Sequence, residues 1–173
     1  GALKDPLAGV LGAFPHARRL ASLVGACAPD GATQESFSDK PTAWGGLEPR
    51  TTFGVGFACK KGLKRDRPNQ DDFCVYRADN VSILGVFDGH GPYGHVMSNF
   101  TQQTLPSAFA QDPDFVGDPK NALRRAFLAT NRLCAACPTH WSFDSSLSGT
   151  TASERMSKSI GHHRDDTGWH ALR

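Results

Sequence analysis

Acidic residues lie at both ends of a segment whose pattern is typical of a β-hairpin. Asp71 and Asp72 directly precede the strand-like run 73–77, and Asp88 follows the apolar run 81–87. Carboxylates are the ligands that hard cations such as Mg²⁺ and Mn²⁺ prefer. The Gly-His-Gly after Asp88 lets a ligand approach a main-chain carbonyl without a Cβ in the way. These residue types predict a metal or phosphate site; the alternative is an ordinary solvated Asp-Gly turn.

The hairpin itself must bring these acids together. Residues 73–77 and 81–87 carry β-branched and apolar side chains, and the turn-forming sequence Ala-Asp-Asn at 78–80 separates them. In an antiparallel pair, the start of the first strand meets the end of the second. We therefore expect Asp71 and Asp88 to lie close enough to share a cation.

Three separated motifs make the sequence resemble a known family. They are Arg67-Pro68-Asn69-Gln70-Asp71-Asp72, Phe87-Asp88-Gly89-His90-Gly91 and Ser148-Gly149-Thr150-Thr151-Ala152. In type and order they are similar to the motifs of metal-dependent serine/threonine protein phosphatases of the protein phosphatase 2C (PPM) type. The resemblance implies an α+β fold, a four-layer α-β-β-α sandwich of two mainly antiparallel sheets flanked by helices. It also implies that the C-terminal half of that fold is missing here.

The resemblance assigns metal ligands. It implies that Asp88 bridges two Mg²⁺ or Mn²⁺ ions and that the Gly89 carbonyl joins one of them. Asp71 would complete the shell of that ion, and Asp72 would act through a bound water. Asp144 is the possible ligand of a third ion, although Ser-Ser-Leu separates it from the third motif.

Two further residues acquire catalytic roles from the same resemblance. Arg67 corresponds to the arginine that clamps the phosphate, because a guanidinium binds two phosphate oxygens and keeps its proton. His90 corresponds to the histidine that protonates the leaving seryl or threonyl oxygen, a task for a side chain that titrates near neutrality.

Two functions follow as hypotheses. The first is a fragment of a phosphatase that hydrolyses phosphomonoesters with metal-activated water and acts, as a monomer, on phosphoserine and phosphothreonine proteins. Because the family's two downstream aspartates have no match here, we expect at most one well-formed ion and little activity. The second hypothesis is a non-catalytic, phosphatase-like interaction or regulatory protein.

Composition narrows the alternatives. The 173 residues include 19 Lys and Arg against 17 Asp and Glu, and a net charge of +2 gives no case for nucleic-acid or anionic-membrane partners. Mean hydropathy is −0.39, and no window approaches eighteen consecutive apolar residues. Five cysteines, an odd number, indicate a reducing compartment, the cytoplasm or nucleus. For Cys134 and Cys137, helix-end packing is favoured over a redox or zinc role.

The chain divides by composition into three segments. Residues 1–50 are predicted to be a low-complexity, disordered leader, and 51–152 the N-terminal part of a phosphatase 2C-like catalytic domain. Residues 153–173 form a polar tail where the resemblance requires an apolar strand.

Local patterns predict three more elements. A half-buried strand is expected over 52–59 because apolar and small residues alternate there. A helix is expected over 95–105, closed by Pro106. A second helix is expected to begin at Pro119, with Asp118 as its N-cap.

Overall fold

The computed structural model describes residues 10, 12–17, 20–25, 42–46, 55–63, 68–136, 145–160 and 163–172. Within this part of the chain, helices pack on one face of a seven-stranded antiparallel sheet, an α+β fold. The strands are β1 Leu20–Gly25, β2 Thr42–Gly46, β3 Asp71–Ala78, β4 Val81–His90, β5 Gly149–Thr150, β6 Ala152–Ile160 and β7 His163–Leu172. The helices are α1 Gly94–Ala110 and α2 Pro119–Ala136, with a 3-10 turn at Ser145–Leu147. The strand order is β2-β1-β3-β4-β6-β7, and β5 pairs with β4.

The central hairpin of β3 and β4 confirms the sequence prediction. A two-residue connection joins the strands, and Asp79 adopts a left-handed φ of 49° there, which Asp tolerates better than most residues. The register runs from Ala78 opposite Val81 to Asp71 opposite Asp88. The turn chemistry and the strand lengths therefore fix which residues face each other at the far end.

The two faces of the hairpin have different covers. On one face, side chains of β3, β4 and β6 form the main core with both helices: Cys74, Tyr76, Val81, Ile83, Phe87 and Met156 with Leu105, Phe109, Leu123, Ala126 and Phe127. On the other face, Phe73 and Val75 pack with Ala21 and Leu23 of β1. Phe57 stacks on Phe73 there, with ring centroids 5.6 Å apart. The helix-covered face holds most of the buried apolar side chains.

Helix α1 continues through Pro106, so the prediction that it ends there was wrong. A proline inside a helix removes one backbone N–H donor and crowds the preceding turn. Leu105 and Phe109, on either side of it, are both completely buried against the sheet. The free energy gained by burying these side chains outweighs the lost hydrogen bond. The apolar pattern of the residues before Pro106 does not reveal this gain.

Helix α2 begins as predicted. The Asp118 carboxylate accepts a hydrogen bond from the backbone N–H of Asn121 at 3.2 Å and another from its side-chain amide at 2.6 Å. Near the other end, Cys134 Sγ lies 3.9 Å from Thr101 Oγ1 of α1, in keeping with a packing role. Cys137 lies outside the described residues. No helix in the described ranges is long and apolar enough to cross a bilayer.

The N-terminal region differs from the expected disordered leader at two segments. Strands β1 and β2 fall within residues 1–50, and β1 pairs with both β2 and β3. Ala21 and Leu23 are buried at 0% and 1% exposure. Short strands of this kind form because a neighbouring sheet edge supplies their hydrogen bonds, which the local sequence does not reveal.

The polar segment after Ala152 also enters the sheet. Strand β6 pairs along β4, and β7 pairs along β6. Strand β6 contains few apolar residues. Its backbone N–H and C=O groups nevertheless find hydrogen-bond partners, because the strand lies between β4 and β7. The boundaries of the three predicted segments otherwise stay a prediction.

Of the predicted strand over 52–59, residues 55–59 show only the alternating burial pattern, and residues 52–54 lie outside the described residues. Val55, Phe57 and Cys59 are half-buried against the β1–β3 face, and the small residues between them are exposed. Residues 55–59 are not part of a strand, so alternation here reflects packing of an extended segment and not sheet pairing.

Candidate functional site

The site is built on a pair of carboxylates at the open end of the hairpin. Asp71 and Asp88 are directly opposite each other in the β3–β4 register, and both are exposed. Residues so placed have Cβ atoms about 4.5–5.5 Å apart, and like charges in this position repel. A divalent cation between them would convert that repulsion into attraction. The residues present therefore fit a hard cation.

Asp72 lies on the other face of β3. It is 1% exposed, and its carboxylate accepts hydrogen bonds from the Asn99 side chain of α1 at 3.1 Å and from the Phe73 N–H at 2.9 Å. Successive side chains of a strand point to opposite faces. The structure therefore does not bring Asp72 to the surface that Asp71 and Asp88 share, and the geometry gives it a packing role under α1.

The turn after Asp88 admits only glycine at two positions. A Cβ on Gly89 would overlap the carbonyl oxygens of Gly94 and Gln70, and one on Gly91 would overlap the carbonyl oxygen of Leu147. Gly91 also has φ +84°, in the left-handed region. The Gln70 carbonyl accepts a hydrogen bond from Gly89 N–H at 3.1 Å, and its side-chain amide donates to Gly91 O at 2.6 Å. A residue of the first motif, Gln70, is thus hydrogen-bonded to the turn of the second motif.

The third motif closes on the second from the other side. Strand β5 pairs with Gly89 and His90 at the end of β4. Thr151 N–H donates to Asp88 O at 2.9 Å, and Thr151 Oγ1 accepts from Asp88 N–H at 3.3 Å. Ser148 Oγ accepts from Tyr93 N–H at 3.0 Å. The three motifs, far apart in sequence, meet around the main chain of Asp88 and Gly89.

His90 lies on the same face of β4 as Asp88, two residues further on, and is exposed. A Cβ on Gly149 would come within 2.8 Å of His90 Nε2, so the imidazole lies against the Gly149 backbone. Arg67 and Asp144, the other predicted site residues, lie outside the described residues.

The ligand set is small. In the ranges that the structure describes, no group of three or more His, Cys, Asp or Glu side chains is arranged to hold a metal ion. The candidate ligands on one surface are the two carboxylates of Asp71 and Asp88, with the main chain of Gly89 beside them. Two carboxylates and a carbonyl bind a hard cation less tightly than the six or more oxygen ligands of a full site.

Cys74, between the two acidic positions in sequence, is not a candidate nucleophile. It is 1% exposed in the main core. Burial first, and then the nearby carboxylates of Glu154 and Asp72, raise the pKa of its thiol well above the usual value. A thiol in such surroundings stays protonated and unreactive. Cys74 is therefore a core residue.

Sequence reasoning gave no role to several residues that organise the site. Gln70, Ser148 and Thr151 all lie within the quoted motifs, and the structure shows each of them bonded to the turn around Asp88. Their presence in those motifs was the available signal. Asn99, which holds Asp72, had no signal, because nothing in the sequence places this helix position over that strand residue.

The sequence is similar to known proteins over about half of its length. No family model matches the sequence. The chain is 39% identical over 92 residues to the probable protein phosphatase 2C 35 of Arabidopsis thaliana, covering 50% of this chain and 25% of the relative. It is 33% identical over 96 residues to the probable protein phosphatase 2C 45 of Oryza sativa subsp. japonica, covering 53% and 32%. It is 32% identical over 98 residues to the probable protein phosphatase 2C 71 of Arabidopsis thaliana, covering 54% and 21%.

The similarities cover the part of the chain that holds the three motifs. The matched half of the chain is similar to segments of proteins of the protein phosphatase 2C (PPM) type. The chain spans only between a fifth and a third of the length of these relatives, as the 21% and 32% coverages show.

Proposed function

We propose that this chain carries part of the catalytic centre of a Mg²⁺- or Mn²⁺-dependent protein serine/threonine phosphatase. The observation that carries the proposal is the direct pairing of Asp71 with Asp88, in a turn clasped by the other two motifs. The relatives named as phosphatases support the reaction class. Phosphoserine and phosphothreonine proteins are the proposed substrates.

Asp71, Asp88 and the Gly89 carbonyl would hold the cation. When bound, a divalent cation neutralises phosphate charge and lowers the pKa of a bound water. The chain's own contribution is to fix the carboxylates. The Thr151 N–H donates to the Asp88 carbonyl and the Gln70 carbonyl accepts from the Gly89 N–H, so Asp88 and Gly89 are held without using the carboxylate oxygens.

Proton transfer is proposed for His90. Its imidazole is exposed on the Asp88 face and rests on Gly149, so it can meet a phosphate ester that approaches the carboxylate pair. An imidazolium can give its proton to the leaving seryl or threonyl oxygen. Arg67 is proposed to bind the phosphoryl oxygens through its guanidinium fork.

We propose little or no turnover by this chain alone. Two carboxylates supply too few ligands for a two-metal centre, and in the described ranges no larger group of acidic or nitrogen ligands is present. The same observation favours a second candidate function, a phosphatase-like protein that binds phosphoproteins without hydrolysing them.

The test is Mn²⁺ binding measured by electron paramagnetic resonance, with Asp88→Asn as the site variant. We expect weak binding by the natural chain and a loss of at least about tenfold in D88N, since half of the carboxylate charge is removed. Asp114→Asn, at an exposed acid between the helices, is the matched control and should bind like the natural chain. Equal binding by all three proteins would refute the site.

Turnover distinguishes the two candidate functions. Hydrolysis of a phosphothreonine peptide with added Mn²⁺ is the measurement. Hydrolysis that D88N abolishes would establish the enzyme and contradict the proposed inactivity. Peptide binding without hydrolysis would favour the interaction protein.

A further inference from the structure

Glu154 is a buried acid in the middle of the sheet. It lies in β6, its exposure is 0%, and within the described part of the chain neither of its carboxylate oxygens has a hydrogen-bond partner. Moving an ionised carboxylate into such surroundings is costly, so the group is held neutral by protonation. The hairpin site makes no use of this residue.

The position of Glu154 is set by the register. Cys74 of β3, Gly85 of β4 and Glu154 of β6 lie side by side across the sheet, on the face that the helices cover. Gly85 has no side chain, and Cys74 Sγ lies 2.8 Å from where a Cβ on Gly85 would be. Cys74 Sγ and the Phe87 ring fill the space above Gly85, and Glu154 is the β6 residue in register with that glycine.

Few charged groups face Glu154 from the elements around it. On the face of β3 that Glu154 shares lie the Cys74 thiol, the Tyr76 hydroxyl and the Asp72 carboxylate, none of which is a cation. On β6 itself, Lys158 is four residues after Glu154 and lies on the same face of the strand. Helix α1 contains one titratable side chain, His95. The residue opposite Glu154 is Gly85 in β4 and His170 in β7.

Helix α2 adds no charge on its buried side. Its buried residues, Ala122, Leu123, Ala126, Phe127 and Thr130, are all neutral. Its arginines are exposed on the opposite side. An ionised Glu154 would thus gain no ion pair from α2.

Strand β6 is connected directly to the candidate site. Its first residue follows Thr151, whose main chain and hydroxyl bond Asp88. Along β4 the pairing continues from Val86 opposite Ser153 to Val81 opposite Lys158, and Glu154 lies within this ladder. The pairing of β6 with β7 is irregular between Glu154 and Met156. Loss of β6 from β4 would remove the support that Thr151 gives to Asp88.

We propose that Glu154 makes the attachment of β6 to β4 dependent on pH, so that the strand and Thr151 separate from the hairpin when the carboxyl group loses its proton. The device is a conformational switch within the fold. It requires no metal and no phosphatase activity.

The direction of the pH dependence follows from burial. Burial raises the pKa of Glu154 from 4.5 to about 8. Below 4.5 both the attached and the detached strand carry a neutral carboxyl, so attachment has its full stability. Between 4.5 and about 8 only the detached form ionises, and detachment grows by up to about tenfold per pH unit. Above about 8 both forms are ionised and the dependence levels off.

Hydrogen exchange of the β6 amides, followed by mass spectrometry in metal-free buffer from about pH 5 to about pH 9, tests the switch. After correction for intrinsic exchange rates, the opening of β6 should increase with pH in the natural chain. In Glu154→Gln the increase should disappear, because an amide does not ionise. Identical pH profiles for the two proteins would overturn the proposal.

A second variant and a control complete the experiment. Glu154→Met, which removes both the charge and the polar oxygens, should keep β6 closed at every pH; a natural-like pH profile in E154M would also overturn the proposal. Asp114→Asn, at an exposed acid, should keep the pH dependence of β6. Amides of α2 serve as the internal reference. Global unfolding also exposes Glu154 and depends on pH in the same way, so the β6 amides should open with a lower free energy than the α2 amides. Equal opening free energies for β6 and α2 at every pH would show that β6 opens only by global unfolding and would overturn the local switch.

Discussion

The two faces of the β3–β4 hairpin place the adjacent residues Asp71 and Asp72 in opposite surroundings. Asp72 is buried under α1 and bonded to Asn99, while Asp71 is exposed opposite Asp88. The alternation of a strand produces this difference, since neighbouring residues point to opposite sides. One face stabilises the fold, and the other offers charge to a ligand. The role of each aspartate in this hairpin is therefore decided by the face of the sheet on which it lies, and not by its chemical type.

The largest expected effect is on the helix-covered face. Leu105→Ala should lower the free energy of unfolding by about 2–5 kcal/mol, because it removes a completely buried side chain and leaves a cavity. Urea unfolding measures this. Leu133→Ala, the same change at a 49% exposed position of α2, should alter stability by less than about 0.5 kcal/mol. Similar losses in the two variants would show that burial of Leu105 against the helix-covered face does not stabilise the fold.

A smaller loss is expected at the turn that joins the motifs. Gly89→Ala should cost about 1–3 kcal/mol, since the new methyl group overlaps backbone carbonyls that cannot move independently. Gly117→Ala is the matched control, because nothing lies within 4 Å of the place its methyl group would take. Urea unfolding of both variants is the measurement. A Gly89 variant as stable as the control would show that the three motifs are not tightly interlocked.

The two acids Asp72 and Asp88 give the sharpest comparison. Asp72→Ala should destabilise by about 1–3 kcal/mol, because Asn99 and the Phe73 N–H lose a buried acceptor. Asp88→Ala should change stability by less than about 0.5 kcal/mol and should instead weaken Mn²⁺ binding. Thermal unfolding with and without Mn²⁺ separates the effects. Loss of stability in the Asp88 variant and loss of Mn²⁺ binding in the Asp72 variant would contradict the roles assigned to the two faces.

The smallest effect is expected away from both faces, at the connection between the helices. Arg125 donates to Asp112 at 2.6 and 2.8 Å and to Asp114 at 2.8 Å. Its guanidinium lowers the pKa of the Asp112 carboxyl below 3.8. The stability this pair contributes is present above 3.8 and is lost as pH falls through the lowered pKa. It should be slight, because Arg125 is 46% exposed and water screens its charge.

Arg125→Gln tests the ion pair. The pKa of Asp112, followed by NMR titration, should rise toward its usual value in the variant. The control is Asp118, whose pKa is lowered mainly by hydrogen bonds from Asn121. The pKa of Asp118 should change much less than that of Asp112. An unchanged Asp112 would show that the guanidinium is not the cause of its lowered pKa.

The hairpin, the capped second helix and the pairing of Asp71 with Asp88 follow from the sequence because all three depend on local signals. Turn residues, alternation and an Asp-Pro cap act over a few positions. The continuation of α1 through Pro106 and the strands at 20–25 and 42–46 depend on packing and pairing with distant segments. Local patterns carry no information about such partners.

The candidate site likewise depends on both local and distant residues. The motifs identified the residues around Asp88, and the structure adds their hydrogen bonds to Gln70, Ser148 and Thr151. The burial of Asp72 and Glu154 could not be read from the sequence, because an acid in a strand is ordinarily exposed. Only the register and the helix cover decide which face each one meets.

The two-residue connection at Asp79 and Asn80 governs chemistry at the opposite end of the hairpin. Insertion of a single residue that shifts the register of β4 by one position would place Phe87 opposite Asp71 and turn Asp88 toward the face that the helices cover. The carboxylate pair can also form before the rest of the sheet, since a tight hairpin closes over a short stretch of chain. A change in chain length at a remote loop would therefore remove the acidic pair without altering either acid.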